Sequence, residues 1–371
     1  MTAAVFEASA TFGPARTGTV STPRGVFHTP CFMPVGTRGA VRLLDTGDLD
    51  ALAPEVVLAN TYHLMLRPGA AVVASLGGLH RFLGYNGHLL TDSGGYQVFS
   101  LGAAVDDGGV SFRSTYDGSR HRLSPEEAVA IQSELGADIQ MALDICPGLP
   151  APVAEIHQAM NRTLLWAARA RHSAVPAGQA LFGIVQGGVS PDLRAESAVR
   201  TVELDFDGYG IGGLSVGEPL EAMLAALAAV TPHLPAGRPR YLMGVGDPVS
   251  VVEAVALGVD MFDCVLPTRL GRHGTALTGS GRLSVRGAGV ALDPGPLDAD
   301  CGCMVCARYS RAYLRHLLVV GEPTAGRLIS IHNLVWLQAL MRRIGRAVSE
   351  GTLDALRADV TARWGPAPMS G

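Results

Sequence analysis

Three thiols and one imidazole near the end of the chain have the types and spacing of metal ligands. Cys301, Cys303 and Cys306 lie within six residues, and His332 follows after 25 intervening residues. Three thiolates and one imidazole form a closed tetrahedral shell, which suits Zn²⁺ and leaves no position open for water or substrate. We therefore predict one structural zinc ion per chain, joining a loop-rich segment to a later helix. Any reaction must then take place elsewhere in the chain.

Three aspartates are the second group that could do chemistry, because each ends a short apolar run. They are Asp92, Asp144 and Asp263. A single aspartate after such a run is most often a helix N-cap. Three that converge can instead act on the anomeric carbon of a sugar, where one carboxylate attacks and a second carries a proton.

Residues that could recognise a flat, purine-like base accompany these carboxylates. An aspartate accepts from ring N–H groups, while Gln186 and backbone N–H groups can donate to a ring carbonyl. Glycines such as Gly213 allow the backbone to approach a ring closely. Tyr96 and Met243 could cover the two ring faces, although each could equally be a core residue.

The elements that must position these groups alternate between strands and helices. Helix starts are indicated by Ser124-Pro125, Ser190-Pro191 and Asp247-Pro248. Short apolar runs typical of strands lie at 31–35, 56–60, 89–92, 139–144, 181–186, 208–213, 241–244 and 261–265. This order predicts an α/β fold, a (β/α)8 TIM barrel, in which polar residues at the carboxyl ends of the strands form the site. A doubly wound open sheet is the alternative, but the Gly-rich phosphate turn expected after its first strand is missing.

Four segments follow from this pattern. Residues 1–30 are predicted to form a β-hairpin that caps the barrel, and 31–274 the catalytic barrel. Residues 275–349 are predicted to form an inserted C-terminal zinc-binding subdomain with a closing helix over 324–349, and 350–371 a C-terminal tail. Cys31, Cys146 and Cys264 are scattered and no apolar export segment is evident, so we expect reduced thiols and a cytoplasmic protein.

The basic residues restrict the chemistry and suggest a partner. All 29 are arginines, which excludes Schiff-base, pyridoxal phosphate and phosphate-loop lysine mechanisms. Residues 1–264 carry 16 arginines against 26 acidic residues, whereas 265–350 carry 11 against 5. An Arg-rich last third predicts a docked polyanion, although solvated helix faces such as Arg342, Arg343 and Arg346 are the alternative.

No apolar run approaches the roughly 20 residues of a membrane span.

Beyond these patterns, seven motifs spread along the chain resemble the tRNA-guanine transglycosylase family of bacterial type, also called queuine tRNA-ribosyltransferase. The cysteine and histidine set resembles the zinc site of that family as well. Two positions depart from the family pattern: Ile145 stands where many members have Glu, and His273 where Asn is usual. The motifs are NTYHL at 60–64, LRPG at 66–69, TDSGGYQVFS at 91–100, QG at 186–187, GGLSVGE at 212–218, MGVG at 243–246 and DCVLPTR at 263–269.

The resemblance implies a cytoplasmic homodimeric glycosyltransferase, a pentosyltransferase of tRNA processing, that exchanges the wobble guanine of GUN anticodons through a covalent enzyme–ribosyl intermediate. It implies that Asp263 is the nucleophile at C1′ of the ribose and that Asp92 assists proton transfer. It further implies that Arg269 and Arg272 hold the anticodon loop. The base-recognition positions that it implies are Asp144, Gln186, Gly213, Tyr96, Met243, Ser93, Leu214 and Glu218.

The resemblance also bears on the incoming base. Eukaryotic members that use queuine have Val and Gly where this chain has Cys146 and Val216. A larger residue at 216 leaves less room for the cyclopentenediol of queuine, so we expect the queuosine precursor preQ1. Alternatives are the same exchange with queuine, an archaeosine-type enzyme, a deazapurine transglycosylase acting on DNA, a non-catalytic subunit and a zinc hydrolase. The last would need an open metal site.

Overall fold

The computed structural model describes residues 3–100 and 102–365. Residues 1–2 and 366–371, the outer parts of the predicted first and last segments, lie outside the described residues. The strands are β1 Val5–Phe12, β2 Ala15–Thr22, β3 Gly25–Thr29, β4 Cys31–Met33, β5 Val35–Gly36, β6 Val56–Ala59, β7 His88–Thr91, β8 Ala104–Asp106, β9 Gly109–Arg113, β10 Arg120–Leu123, β11 Ile139–Met141, β12 Ala180–Val185, β13 Gly208–Ile211, β14 Arg240–Leu242, β15 Met261–Asp263, β16 Thr275–Thr278 and β17 Gly281–Ser284.

Helices follow most of the barrel strands, and several more lie in the last third of the chain. They are α1 Thr46–Leu52, α2 Thr61–Leu66, α3 Ala70–Ser75, α4 Gly78–Leu83, α5 Gly95–Ser100, α6 Pro125–Leu135, α7 Val153–Arg171, α8 Pro191–Val202, α9 Leu220–Val230, α10 Pro248–Ala256, α11 Leu266–Arg272, α12 Met304–Arg308, α13 Arg311–Val319, α14 Pro323–Glu350 and α15 Leu353–Trp364.

A parallel sheet that returns to its own start confirms the barrel. Its order is β4-β15-β14-β13-β12-β11-β7-β6-β5. The two end segments, β4 and β5, are separated only by Pro34, whose carbonyl accepts a hydrogen bond from the Leu58 N–H at 3.0 Å. They therefore act as one strand position in an eight-position barrel. Each of the eight predicted apolar runs contains an observed strand or strand pair, because strands buried on both faces read as continuous apolar runs.

The predicted helix starts are confirmed. Ser124, Ser190 and Asp247 are N-caps whose side chains accept a backbone N–H, and each is followed by proline at the first helical position. Glu127 completes a capping box at the first of them. Such caps fix where each helix leaves the barrel, and so fix the loops at the rim.

The first 30 residues form more than the single hairpin that the sequence suggested. The strands β1, β2 and β3 make a three-stranded antiparallel sheet, because the turn at 13–14 and the turn at 23–24 each reverse the chain. Arg16 on β2 forms a buried ion pair with Asp260, with Nη2 and Oδ2 2.6 Å apart. This pair attaches the sheet to the barrel just before β15.

The last third also contains a helix that the sequence analysis assigned to a tail. Helix α15 buries Leu353 and Val360, and the ring of Trp364 lies 5.0 Å from that of Trp336 on α14. Apolar residues at 353, 356, 360 and 364 recur at helical spacing, which explains the helix. The helix predicted over 324–349 is confirmed as α14, and no helix in the described ranges is long and apolar enough to cross a membrane.

Candidate active site and metal centre

A cavity of about 460 Å³ opens at the carboxyl ends of the barrel strands. All three predicted aspartates line it, as do the predicted base contacts Ser93, Tyr96, Gly213, Leu214 and Met243. Gln186 and Glu218 do not themselves line the cavity. Gln186 contacts the lining residue Asp144, and Glu218 contacts the backbone of Ser215 and Val216. The topology thus brings the predicted residues of six strands to one place.

Asp263 ends β15 with one of its two carboxylate oxygens occupied. Its Oδ1 accepts from the Tyr241 hydroxyl at 2.6 Å and from the Gly244 N–H at 2.7 Å. Among the described residues nothing donates to Oδ2, which is therefore available to react. Burial raises the pKa of the carboxyl group, while these two hydrogen bonds favour the ionised form and lower it.

Asp92 follows β7 and has both oxygens occupied. Its Oδ1 accepts from the Thr61 N–H at 2.8 Å and its Oδ2 from the Asn60 side-chain amide at 2.5 Å. Burial is the largest cause that raises the pKa of Asp92 to about 7, and the charges of Asp263 and Asp144 raise it further. A carboxyl group that titrates near neutral pH can both give and take a proton.

Asp144 and Gln186 form a buried pair at the side of the cavity. The Gln186 Nε2 donates to Asp144 Oδ2 at 2.7 Å, and the buried Gln186 Oε1 finds no hydrogen-bond partner among residues 3–100 and 102–365. Gly213, at φ +67°, is required here, because a Cβ atom would overlap the Gln186 Oε1. Asp144 Oδ1 also contacts the Ser93 hydroxyl at 3.4 Å.

Arg194 is a buried cation that sequence reasoning did not identify. Within the described part of the chain, its guanidinium donates to three backbone carbonyls: Gly188 at 2.6 Å, Val185 at 2.9 Å and Gly213 at 3.2 Å. It thereby ties the loops after β12 and β13 to each other. Burial lowers the pKa of Arg194 to about 10, so it remains charged at neutral pH.

The loop after β13 is held by Glu218. Its carboxylate accepts from the backbone N–H groups of Ser215 and Val216, the latter at 2.9 Å. Val216 itself lines the cavity, so its side chain limits the space there. Tyr96 lines it as well and is 59% exposed, which leaves its ring free to meet a ligand.

Arg269 and Arg272 lie on α11, directly after Asp263. Arg269 lines the cavity mouth. Burial lowers the pKa of Arg272, and the nearby cations Arg42 and Arg269 lower it further. The guanidinium groups of Arg42, Arg269 and Arg272 therefore lie near one another beside the cavity.

The predicted metal ligands come together in the last third. Ligand atoms of Cys301, Cys303, Cys306 and His332 all lie within 4.8 Å of one another. The His332 Nδ1 lies 3.3 Å from the Cys306 sulfur and 3.5 Å from the Cys303 sulfur. Its Nε2 lies 2.8 Å from the Leu277 carbonyl, so Nε2 carries the proton and Nδ1 faces the thiols as a ligand. The four residues can hold a metal ion.

Comparison with known proteins identifies the family. The family model described as queuine tRNA-ribosyltransferase matches residues 11–366. The chain belongs to this family. Relatives with the same name are 50% identical over 346 residues in Natranaerobius thermophilus, covering 92% of this chain and 94% of the relative, and 53% identical over 346 residues in Desulforudis audaxviator, covering 92% and 93%. A relative from Herpetosiphon aurantiacus is 50% identical over 358 residues, covering 96% and 91%.

Sequence reasoning missed the groups that orient the carboxylates of this queuine tRNA-ribosyltransferase family member. Tyr241 could have been found, because alternation along a strand places it on the same side as Met243. Asn60 was noted only as a polar residue at a strand end, although it is both the N-cap of α2 and a donor to Asp92. No sequence signal marks Arg194, which reads as an ordinary charged residue on a surface helix.

If Asp144 accepts from a base, as expected from the sequence, base binding should weaken in acid. Burial raises its pKa to about 6, against the lowering effect of its hydrogen bonds to Gln186 and Ser93. Below that pH the carboxyl group is protonated and loses an acceptor for base N–H groups, so the Kd for guanine should rise by about tenfold per pH unit. Calorimetric titration with guanine at several pH values between 5 and 8 measures this change in Kd. In Asp144→Asn binding should be weak and independent of pH below 6, whereas constant wild-type affinity from pH 5 to 7 would contradict the assignment.

Proposed function

We propose that this chain is a tRNA-guanine transglycosylase that exchanges the wobble guanine of GUN anticodons for preQ1 through a covalent intermediate. One observation carries the proposal: Asp263 presents a free Oδ2 in the same cavity as Asp92, whose pKa is raised to about 7. The family supports it, since its curated members are named for ribosyl transfer to queuine on tRNA.

The proposed reaction is a double displacement at C1′ of the ribose. The Asp263 Oδ2 bonds to C1′ as the glycosidic bond to guanine breaks, and the departing base takes a proton from Asp92. The incoming base then returns its N9 proton to Asp92 while N9 bonds to C1′, which breaks the bond to Asp263. Two displacements retain the configuration at C1′.

The hydrogen bonds support this division of roles between the two carboxylates. Asp92 has both oxygens engaged and is partly protonated near neutral pH, which makes it a poor nucleophile and a suitable proton carrier. Asp263 is fixed through Oδ1 alone by Tyr241 and Gly244, which aims Oδ2 without blocking it.

The proposed base site uses the groups beside these carboxylates. Asp144 accepts from base N–H groups, and the second N–H of the Gln186 amide and the backbone after Gly213 donate to the ring carbonyl. Ser93 and Leu214 complete the edge of this site. Tyr96 and Met243, which both line the cavity, cover the ring faces.

PreQ1 should be preferred to queuine because of Val216. This residue lines the cavity, and its β-branched side chain is stiff and cannot swing aside at little cost. The aminomethyl group of preQ1 is small and can donate to Glu218 or a backbone carbonyl, whereas the cyclopentenediol of queuine meets the valine methyl groups. Val216→Gly should raise queuine use roughly tenfold, the scale of one or two methyl groups in a pocket, with little loss of preQ1 use.

Competition between the two free bases for one tRNA measures this preference. The matched control is Val265→Gly, which also removes a valine from the cavity lining but beside Asp263. Equal use of both bases by the wild type would defeat the steric argument, and would turn attention to Ile145 as part of a reshaped pocket.

The remaining assignments belong to the same proposal. The metal is Zn²⁺, because three thiols and one imidazole within 4.8 Å suit its tetrahedral shell. The enzyme acts in the cytoplasm as a homodimer, with Arg269 and Arg272 holding the anticodon loop. We propose segment boundaries at 30, 274 and 349, as expected from the sequence.

Incubation with labelled guanine tests the proposed reaction. Label should enter bulk tRNA, and unlabelled preQ1 should chase it out. Label entering DNA instead would favour the DNA-modifying alternative, and label entering neither would reject the transglycosylase assignment.

A further inference from the structure

A second group of cations lies outside α11, on the loop after β5 and at the end of α2, two segments that begin beside the cavity-lining residues Thr37 and Asn60. The guanidinium carbons of Arg67 and Arg38 lie 4.7 Å and 5.5 Å from the centre of the Tyr116 ring. Both arginines are exposed, and within the described ranges neither forms an ion pair. We call Arg38, Arg67 and Tyr116 the rim cluster.

The rim cluster is built on fixed supports. The Tyr116 hydroxyl is hydrogen-bonded to the His63 Nδ1 at 2.9 Å. The hairpin loop that carries Tyr116 is attached to α2 a second time, because the Thr115 hydroxyl lies 3.2 Å from the Tyr62 hydroxyl. The aromatic ring is therefore held in place, and the two flexible arginine side chains gather at it.

The rim cluster is linked to the reacting groups through the segments that carry it. Arg38 follows Thr37, which lines the cavity after β5. Arg67 is the C-cap of α2, and the N-cap of the same helix, Asn60, donates to Asp92 Oδ2. Two cations close to one ring repel each other unless an anion joins them. The carboxylate that follows Tyr116, Asp117, accepts from the Ser119 hydroxyl and N–H, and its pKa is lowered by these hydrogen bonds and further by the charge of Arg67. It therefore balances at most one of the two guanidinium groups.

The geometry points to a second phosphate site: we propose that the rim cluster binds the backbone of the single-stranded RNA on one side of the exchanged nucleotide, while Arg269 and Arg272 bind it on the other. This rests on the proposed function, because it places the exchanged base in the cavity between the two groups. Guanidinium groups suit phosphate oxygens, which they bind in a bidentate manner.

The experiment uses the full-length enzyme and a fluorescent anticodon stem-loop RNA, with Kd measured by anisotropy across a salt series. Arg38→Gln and Arg67→Gln should each raise the Kd about fivefold. Each should also reduce the log–log salt slope by about 0.7, as expected for one phosphate of a single strand. Free-guanine affinity should not change. Arg269→Gln serves as the comparison on the other side of the cavity.

Arg171→Gln is the matched control. Arg171 is exposed and ends α7 just before β12, which places it at the opposite end of the barrel from the cavity. A neutral methylphosphonate linkage on the rim-cluster side of the exchanged nucleotide should remove the difference between wild type and Arg38→Gln. The same linkage on the other side should remove the effect of Arg269→Gln.

Two results would separate failure of this proposal from failure of the proposed function. If Arg38→Gln and Arg67→Gln changed the RNA Kd no more than Arg171→Gln while the wild type still exchanged guanine, the rim cluster would not be a phosphate site. If the wild type bound the RNA with the expected arginine dependence but exchanged no guanine, the phosphate site would stand and the transglycosylase reaction would be wrong.

Discussion

Asp263→Asn should lower guanine exchange by at least about 10³-fold while tRNA binding stays within a few fold of wild type. The asparagine carbonyl can still accept from Tyr241 and Gly244, so the local geometry should persist. What the variant loses is the nucleophilic Oδ2. Incorporation of labelled guanine measures the rate, and a denaturing gel measures the covalent adduct with tRNA, which the variant should not form.

Two further measurements make this prediction specific. Asp247→Asn is the matched control, because Asp247 lies at the same end of the barrel but is an N-cap, and asparagine caps helices equally well. Removing the charge of Asp263 should also lower the pKa of Asp92, since that charge helps to raise it. An adduct that still formed in Asp263→Asn would show that another residue, most directly Asp92, is the nucleophile.

The barrel could be predicted because its strands are buried on both faces. Runs such as 181–186 and 208–213 have no competing helical pattern, and proline after each N-cap marks where the next helix begins. The first 30 residues were harder, because two turns are compatible with one hairpin or with three strands. The helix at Leu353–Trp364 was missed because its four apolar positions form a narrow stripe among charged and small residues, and only Leu353 and Val360 of them are buried.

The site could be predicted as a set of residue types but not as a set of contacts. The three aspartates and Gln186 were placed correctly at one end of the barrel, since carboxyl ends of parallel strands meet there. Their hydrogen bonds join residues far apart in the chain, such as Gln186 with Asp144 and Asn60 with Asp92. The same applies to the Arg38–Tyr116 contact, because the loop between β9 and β10 had to meet the loop after β5 to form it.

The metal centre depends on long-range contacts as well, and these connect it to α11, the helix that we propose binds RNA. His332 and Asn333 are adjacent on α14. The Asn333 side-chain amide donates to the Pro267 carbonyl on α11 at 2.9 Å, and its Oδ1 accepts from the Leu277 N–H at 2.8 Å. Gly271 of α11 packs so closely on Ser330 that a Cβ atom would lie 2.5 Å from the serine hydroxyl oxygen. A change at the metal centre should therefore reach Arg269 and Arg272.

Cys303→Ser and His332→Ala should each lose the metal and destabilise the last third of the chain, by on the order of 5 kcal/mol, because metal binding at such sites is coupled to folding. Metal analysis and hydrogen exchange over 275–350 measure the two effects, with Cys31→Ala as a control that removes a thiol outside both the cluster and the active-site cavity. RNA affinity should fall with the metal, whereas guanine affinity should not, since the base site lies in the barrel. Fewer than about half a zinc ion per chain in a folded, active preparation would contradict a required four-ligand site.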